Sequence, residues 1–145
     1  MGIVYLVSTP IGNLGDITLR ALDTLWSVDT ILCEDTRVTQ VMLNFYKPKM
    51  AKPYPPLMSY TEHNESMRIP HILMQLSAGK NIALVSDRGT PLVSDPGYKL
   101  VREVISLSRV NETIGLDVIP GANATLPAIL LSGFPPDKFY FAGFL

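Results

Sequence analysis

Short β-rich runs alternate with segments of helical periodicity five times in succession along this chain, and that order leaves few folds open. Residues 3–7, 30–33, 57–60, 82–85 and 116–119 read as strands, each mostly apolar. The segments between them place apolar residues at helical spacing. Ile17, Leu19, Leu22, Leu25 and Trp26 mark the first helix, and Val38, Val41, Met42 and Phe45 the second. Ile69, Ile72, Leu73 and Leu76 mark the third, and Leu100, Val101, Val104 and Ile105 the fourth. Asp16 is expected to cap the first helix and Asp35 or Thr36 the second; Asp95-Pro96 is expected to start the fourth. Gly79 stands where a helix C-terminus favours glycine. Strands separated by helices cannot pair as hairpins. The prediction is an α/β fold, a five-stranded mainly parallel sheet wound with helices through right-handed crossovers.

Beyond Pro120 the rhythm changes. Residues 124–131 look helical despite Pro127, Gly133-Phe-Pro-Pro136 breaks that helix, and 138–145 reads as a further strand outside the parallel series. An apolar strand of that kind is normally paired or covered. The expected organisation is therefore an α/β domain over 1–120, with 121–145 as a linker helix and the first strand of a second, incomplete domain. The composition agrees with a packed chain: of 145 residues, 47% are hydrophobic and only 17% charged, against about 25% charged in average soluble domains. A net charge of −1 provides no general basic excess, so contact with nucleic acid must be local. No apolar run reaches the roughly 20 residues of a membrane-spanning helix, and no basic segment introduces a signal sequence. With a single cysteine, Cys33, the expectation is a cytoplasmic chain without disulfides or membrane partners.

In an open parallel sheet, ligands bind beyond the carboxyl ends of the strands. The loops there are Ser8-Thr-Pro-Ile-Gly-Asn-Leu-Gly-Asp16, Glu34-Asp-Thr-Arg37, Thr61-Glu-His-Asn-Glu65, Ser86-Asp-Arg-Gly-Thr-Pro91 and Pro120-Gly-Ala-Asn-Ala124. Glycine, proline, hydroxyls and carboxylates concentrate at this one end, while the opposite end has ordinary turns such as Ala78-Gly-Lys-Asn81. Neither the glycine pattern of a dinucleotide site nor a P-loop occurs. Free backbone donors beside a carboxylate suit a nucleoside lacking a phosphate chain. Asp87 is expected to accept from ribose hydroxyls or an ammonium group, and Gly89 and Gly121 to let the backbone approach an adenine edge. Asp95 reads better as a helix cap than as a ligand contact.

These loops also resemble a known family. Thr9-Pro-Ile-Gly-Asn-Leu-Gly-Asp-Ile-Thr-Leu-Arg-Ala-Leu22, Glu34-Asp-Thr-Arg37, Glu62-His-Asn-Glu65, Ser86-Asp-Arg-Gly-Thr-Pro-Leu-Val-Ser-Asp-Pro-Gly-Tyr98 and Gly143-Phe-Leu145 are similar, in that order, to the ribosomal RNA small-subunit methyltransferase I family of the tetrapyrrole methylase superfamily. The resemblance implies an S-adenosyl-L-methionine-dependent enzyme methylating the ribose 2′-hydroxyl of a cytidine in 16S ribosomal RNA. It also implies two domains with the cofactor between them, a homodimer when complete, and small-subunit ribosomal RNA or the 30S subunit as partner. By position, Pro10, Ile11 and Gly12 would form one wall of the cofactor site. Asp87, Gly89, Thr90 and Pro91 would line it from the fourth strand, and Gly121, Asn123 and Ala124 would close it. Arg88 stands where the family usually has alanine, and a cation there must point away from a sulfonium. Ala122-Asn123 replaces a usual Pro-Ser, and 106–115 reads as a surface insertion.

Methyl transfer to a ribose hydroxyl needs the oxygen placed behind the methyl group and its proton managed. The candidates for catalysis are Glu34, Arg37, His63 and Glu65, each of which could equally cap, brace or pair within its loop. Two histidines and one strand cysteine give no metal-ligand spacing, so no metal is expected. RNA contacts are expected from Arg20, Arg37, Arg88 and the loop carrying Lys47, Lys49 and Lys52 with Tyr46 and Tyr54 interleaved. Two other readings stay open. One is a sister methylase acting on a tetrapyrrole or a diphthamide precursor, against which the Glu62-His-Asn-Glu65 run speaks; the other is a non-catalytic fragment.

Overall fold

The computed structural model describes residues 1–143. Its elements follow the alternation: β1 (Gly2–Val7), α1 (Leu19–Ser27), β2 (Thr30–Cys33), α2 (Thr36–Tyr46), β3 (Leu57–Ser59), α3 (Glu65–Ser77), β4 (Ile82–Val85), α4 (Tyr98–Ser108), β5 (Ile114–Ile119) and α5 (Thr125–Leu131). The strands form one parallel sheet in the order β3-β2-β4-β1-β5. From β1 the chain crosses to β2 on one side; from β4 it crosses to β5 on the other. The crossovers therefore part at the adjacent strands β1 and β4, and a crevice opens between their carboxyl ends.

Alternate residues of each strand enter opposite cores. Val7, Ile31, Cys33, Ala83 and Val85 face a cluster with Leu25 and Trp26 of α1 and Leu43 and Tyr46 of α2. Val4, Leu6, Leu32, Ile82 and Leu84 face Ile72 and Leu76 of α3 and Leu100 and Val104 of α4. Burial on both faces explains why the central strands β2 and β4 are nearly continuous apolar runs, whereas the edge strand β5 carries the exposed Asp117. At the amino end of the sheet, Asn81 ties β1 to the turn before β4 by accepting from the Ile3 amide at 3.0 Å. Asp29 accepts from the Asn81 amide and from Lys80 Nζ, each at 2.8 Å.

Several sequence expectations are corrected. Asp16 ends a short 3₁₀ turn over Leu14–Asp16 that Asn13 caps, and α1 begins only after Thr18, whose hydroxyl accepts from the Ala21 amide at 3.0 Å. Ile17 is extended, which separates the two turns. Asp35 does cap α2, accepting from the Arg37 amide at 2.8 Å. On α2 the buried stripe is Thr39, Met42, Leu43 and Tyr46, so Val41 and Phe45 stay exposed. One-residue ambiguity in helical phase suffices for that error, because both stripes keep helical spacing. Within residues 106–115, α4 runs to Ser108 and β5 starts at Ile114, paired with Gly2, so only 109–113 form the connection.

Asp95-Pro96 does not start α4. Gly97, at φ 126°, is its N-cap, and the Gly97 carbonyl accepts from the Val101 amide at 3.0 Å. A Cβ at Gly97 would lie 2.6 Å from methyl carbons of both Leu84 and Leu92. The turn thus needs glycine for its backbone and for its packing. Residues 138–143 carry no strand, and 144–145 of the expected strand lie outside the described residues. Phe139, Tyr140 and Phe141 are more than half exposed, and no ladder partner is present among the described residues to hold their amides in a strand.

Candidate functional site

The crevice between β1 and β4 is closed at its base by hydrogen bonds between their loops. Thr9 and Gly89 form an isolated antiparallel bridge, amide to carbonyl in both directions at 2.8 and 3.0 Å. The Thr9 hydroxyl donates to the Ser86 carbonyl at 3.2 Å, and the Ser86 hydroxyl to the Gly89 carbonyl at 3.0 Å. Ser8 and Thr90 hydroxyls meet at 2.9 Å. Ser8, Thr9 and Ser86 are all buried, so these bonds replace water that the hydroxyls would otherwise lose without compensation.

Gly89 reaches this bridge only through φ 82°; a Cβ there would sit 3.2 Å from Ile11 Cγ2. Its backbone polar groups are already engaged with Thr9, so Gly89 shapes the wall and leaves no amide to read an adenine edge. Gly121 packs on the first loop in the same way, since its Cβ would lie 2.8 Å from Ser8 Cβ. Loops one, four and five are thereby drawn together at backbone contact distance.

Three depressions run side by side along this rim. The largest, about 700 Å³, is lined by Ile11, Gly89, Thr90, Asn123 and Ala124 of the expected cofactor set. Seven contributors absent from that set join them: Arg88, Val93, Ser94, Asp95, Thr125, Phe141 and Gly143. A second, about 350 Å³, gathers Pro10, Gly12 and Asp87 with Val38, Val41 and Met42 of α2, and shares Arg88 with the first. The third, about 450 Å³, holds His63 and Glu65 with Glu62, Tyr98 and Lys99, and shares Asp95 with the first. Pro91 is buried and, like Gly121, lines none of the three; both support the loops from beneath. Glu34 and Arg37 also lie outside these linings.

The charged candidates differ in what holds them. Arg37 pairs with Asp35 at 2.6 Å at the start of α2, and that guanidinium, with the Arg37 amide, holds the Asp35 carboxyl down at about 2. Asp87 Oδ1 accepts from the Asp35 amide at 3.1 Å, linking the fourth loop to the second. Glu65 is buried, paired with Lys99 at 2.8 Å, and takes a long 3.4 Å bond from the Tyr60 hydroxyl. That geometry braces α3 against α4. His63 is exposed. Burial, and then the charges of Asp87, Asp95, Glu62 and Asp35, push the Glu34 carboxyl above its ordinary value. Burial and Asp87 do the same to Asp95.

The expected aromatic RNA platform is not available. Tyr46 is buried and donates its hydroxyl to the Leu14 carbonyl. Tyr54 sits edge-on to Trp26 with ring centres 6.1 Å apart, and Trp26 Nε1 donates to the Lys52 carbonyl at 2.9 Å. Tyr46 thus fastens the first loop to α2, and Tyr54 fastens the proline-rich loop to α1. Asp95 is the functional candidate that sequence reasoning passed over, because Asp-Pro imitates a helix start; the missed signal was Gly97, one residue further on.

A parallel sheet of this strand order, with a rim cleft built from its first, fourth and fifth loops, defines an α/β domain whose candidate ligand site lies at the carboxyl ends of its strands. Residues 3–145 match the Tetrapyrrole (Corrin/Porphyrin) Methylases family, and the chain belongs to it. It is 51% identical over its full length to the ribosomal RNA small subunit methyltransferase I of Thermotoga maritima, covering 61% of that protein. It is also 49% identical to the proteins of that name from Mesorhizobium japonicum and Bacillus subtilis, covering 45% and 46% of them. The chain therefore spans about half the length of the curated relatives it matches. The fold is shared with uroporphyrin III C-methyl transferase from Thermus thermophilus, at TM-score 0.56 and 22% identity over 92% of this chain and 53% of that one. Cobalt precorrin-4 methyltransferase gives 0.58 and 19% over 90% and 49%.

Proposed function

We propose that this chain provides the cofactor-binding part of an S-adenosyl-L-methionine-dependent methyltransferase acting on small-subunit ribosomal RNA, at the ribose 2′-hydroxyl of a cytidine. The observation that carries the reading is the 700 Å³ depression at the parting of the crossovers, in a chain half identical to relatives bearing the ribosomal RNA methyltransferase name. Its volume lies within the roughly 300–1,000 Å³ of small-molecule sites.

The lining suits the group. Ile11, Val93, Ala124 and Phe141 offer apolar surface, and Thr90, Ser94 and Asn123 offer hydroxyls and an amide. Asn123 Oδ1 already accepts from the Leu126 amide at 3.2 Å, which leaves its side-chain nitrogen to donate. Arg88 is exposed and lies where the first two depressions meet, a position from which it can attract an RNA phosphate. When bound, S-adenosyl-L-methionine supplies an activated methyl group on a positively charged sulfur. The protein's part is to hold the ribose oxygen in line with that methyl group and exclude competing water. Pro10, Gly12 and Asp87 in the second depression, with His63 in the third, form the flanks against which an RNA strand would lie.

No helix among the described residues is long and apolar enough to cross a membrane. The reading places the protein in the cytoplasm, as a homodimer when complete, with the 30S subunit or its RNA as partner. Incubation with methyl-labelled cofactor and 30S subunits should label a cytidine ribose in the small-subunit RNA. Label on a base, on a protein or on a tetrapyrrole instead would refute the reading.

A further inference from the structure

Asp95 occupies a place that none of the other acidic residues shares: it lines both the large depression and the neighbouring one that holds His63. Its side chain makes no hydrogen bond or ion pair among the described residues, although the residue is only partly exposed. The backbone leading to it is strained. Leu92 and Ser94 have φ of 75° and 69°, a region that non-glycine residues enter at a cost and that persists where the surroundings enforce it. Leu92 packs against Leu84 in the space that Gly97 leaves open, which anchors the loop on one side of Asp95, and α4 begins just beyond it. The carboxylate is held at the rim by the fold and is used by nothing in it.

The other carboxylates of the rim are committed or displaced. Glu65 is paired with Lys99, Asp35 with Arg37, and Asp87 with the Asp35 amide. Glu62 lines the third depression but not the first. We propose that Asp95 is the proton acceptor of this site, taking the proton of the attacking hydroxyl as methyl transfer proceeds. This rests on the methyl-transfer reading above. The hydroxyl oxygen forms a bond to the methyl carbon while the carbon–sulfur bond breaks, its electron pair staying on sulfur, and the hydroxyl proton passes to the Asp95 carboxylate. Burial and the charge of Asp87 raise that carboxyl above its ordinary value, which brings it closer to the range useful for general-base work near neutrality. The groups facing it are Asp87 and Glu34 on the acidic side, Arg88 in the large depression, and Glu62, His63, Tyr98 and Lys99 in the third.

The test compares wild-type protein with Asp95→Asn and Asp95→Glu in methyl transfer to 30S subunits, alongside cofactor binding by calorimetry. Loss of a general base should lower kcat of Asp95→Asn by roughly 10²–10⁴-fold, with cofactor affinity kept within about threefold and partial recovery in Asp95→Glu. Wild-type kcat should rise with pH through a value above that of an ordinary aspartate and then level off. That limb should vanish in Asp95→Asn, whereas one belonging to His63 would survive there. A kcat of Asp95→Asn within about threefold of wild type overturns the proposal. So does a loss of cofactor affinity that accounts for the whole effect, or a wild-type kcat flat from acid to neutral pH, which needs no variant to fold. A wild-type protein that methylates no RNA ribose refutes the broader reading instead.

Discussion

Replacing Gly97 by alanine tests at one point how the fourth loop is built. The residue holds φ 126°, and its missing Cβ would fall 2.6 Å from methyl carbons of Leu84 and Leu92. A backbone conformation nearly reserved for glycine costs about 1–3 kcal/mol when another residue must adopt it. Forcing one more carbon between two packed leucines costs about 1–3 kcal/mol more, with side-chain adjustment lowering the total. Gly97→Ala should therefore lose about 3 kcal/mol, a large share of the roughly 5–15 kcal/mol that holds a domain together. With an unfolding entropy of about 2.1 cal/mol/K per residue, the melting midpoint should drop by about 10 °C. Urea unfolding followed by helical circular dichroism gives the loss directly, provided the slope m is unchanged. Asp95→Ala is the companion measurement. Removing a true N-cap costs about 1 kcal/mol, but Asp95 caps nothing here, so its loss should stay within about 0.5 kcal/mol. A stable Gly97→Ala beside an Asp95→Ala destabilised by more than about 1 kcal/mol would show that α4 starts at Asp95 after all.

Gly121→Val should separate loops one and five, because Ser8 Cβ already lies 2.8 Å from where the new Cβ would go; cofactor affinity is expected to fall at least tenfold, and wild-type binding would show that the contact does not shape the site. Asp35 should titrate near pH 2 in a carbon-detected NMR experiment, chiefly because of its bond to Arg37. Its depressed value means the pair's contribution is present above the ordinary aspartate range and is lost as pH falls through about 2; Arg37→Ala should return the midpoint toward the ordinary value, and an unmoved midpoint would exclude the pair as its cause. Trp26→Phe removes the donor to the Lys52 carbonyl and should cost about 1–3 kcal/mol while exposing the Lys47–Lys49 turn to trypsin; unchanged cleavage would mean that Tyr54 alone secures the loop.

The order of strands and helices was legible in the residues because it depends on short-range periodicity. Uniformly apolar runs such as Ile82–Val85 had to be strands buried on both faces, and their connection through helices had to make them parallel. The loops at the carboxyl ends, with their family motifs, were legible for the same local reason. What a given loop residue does was not. Asp95-Pro96 carries the local signature of a helix start, yet the helix begins at Gly97 because Leu84 and Leu92 occupy the space beneath it. Tyr46 and Tyr54 looked free to stack on bases until the backbone carbonyl of Leu14 and the ring of Trp26 claimed them. The α2 stripe could be phased in either of two ways, and only contact with Tyr5, Val7 and Val85 chose Met42 and Leu43 over Val41 and Phe45. Sequence alone determined the class of fold, the end of the sheet that bears the site and the family. Tertiary structure decided which carboxylates there were paired and which were not, because hydrogen bonds between residues 50 or 80 positions apart, such as Asp35 with Asp87 and Ser8 with Thr90, form only when the crossovers bring the loops together.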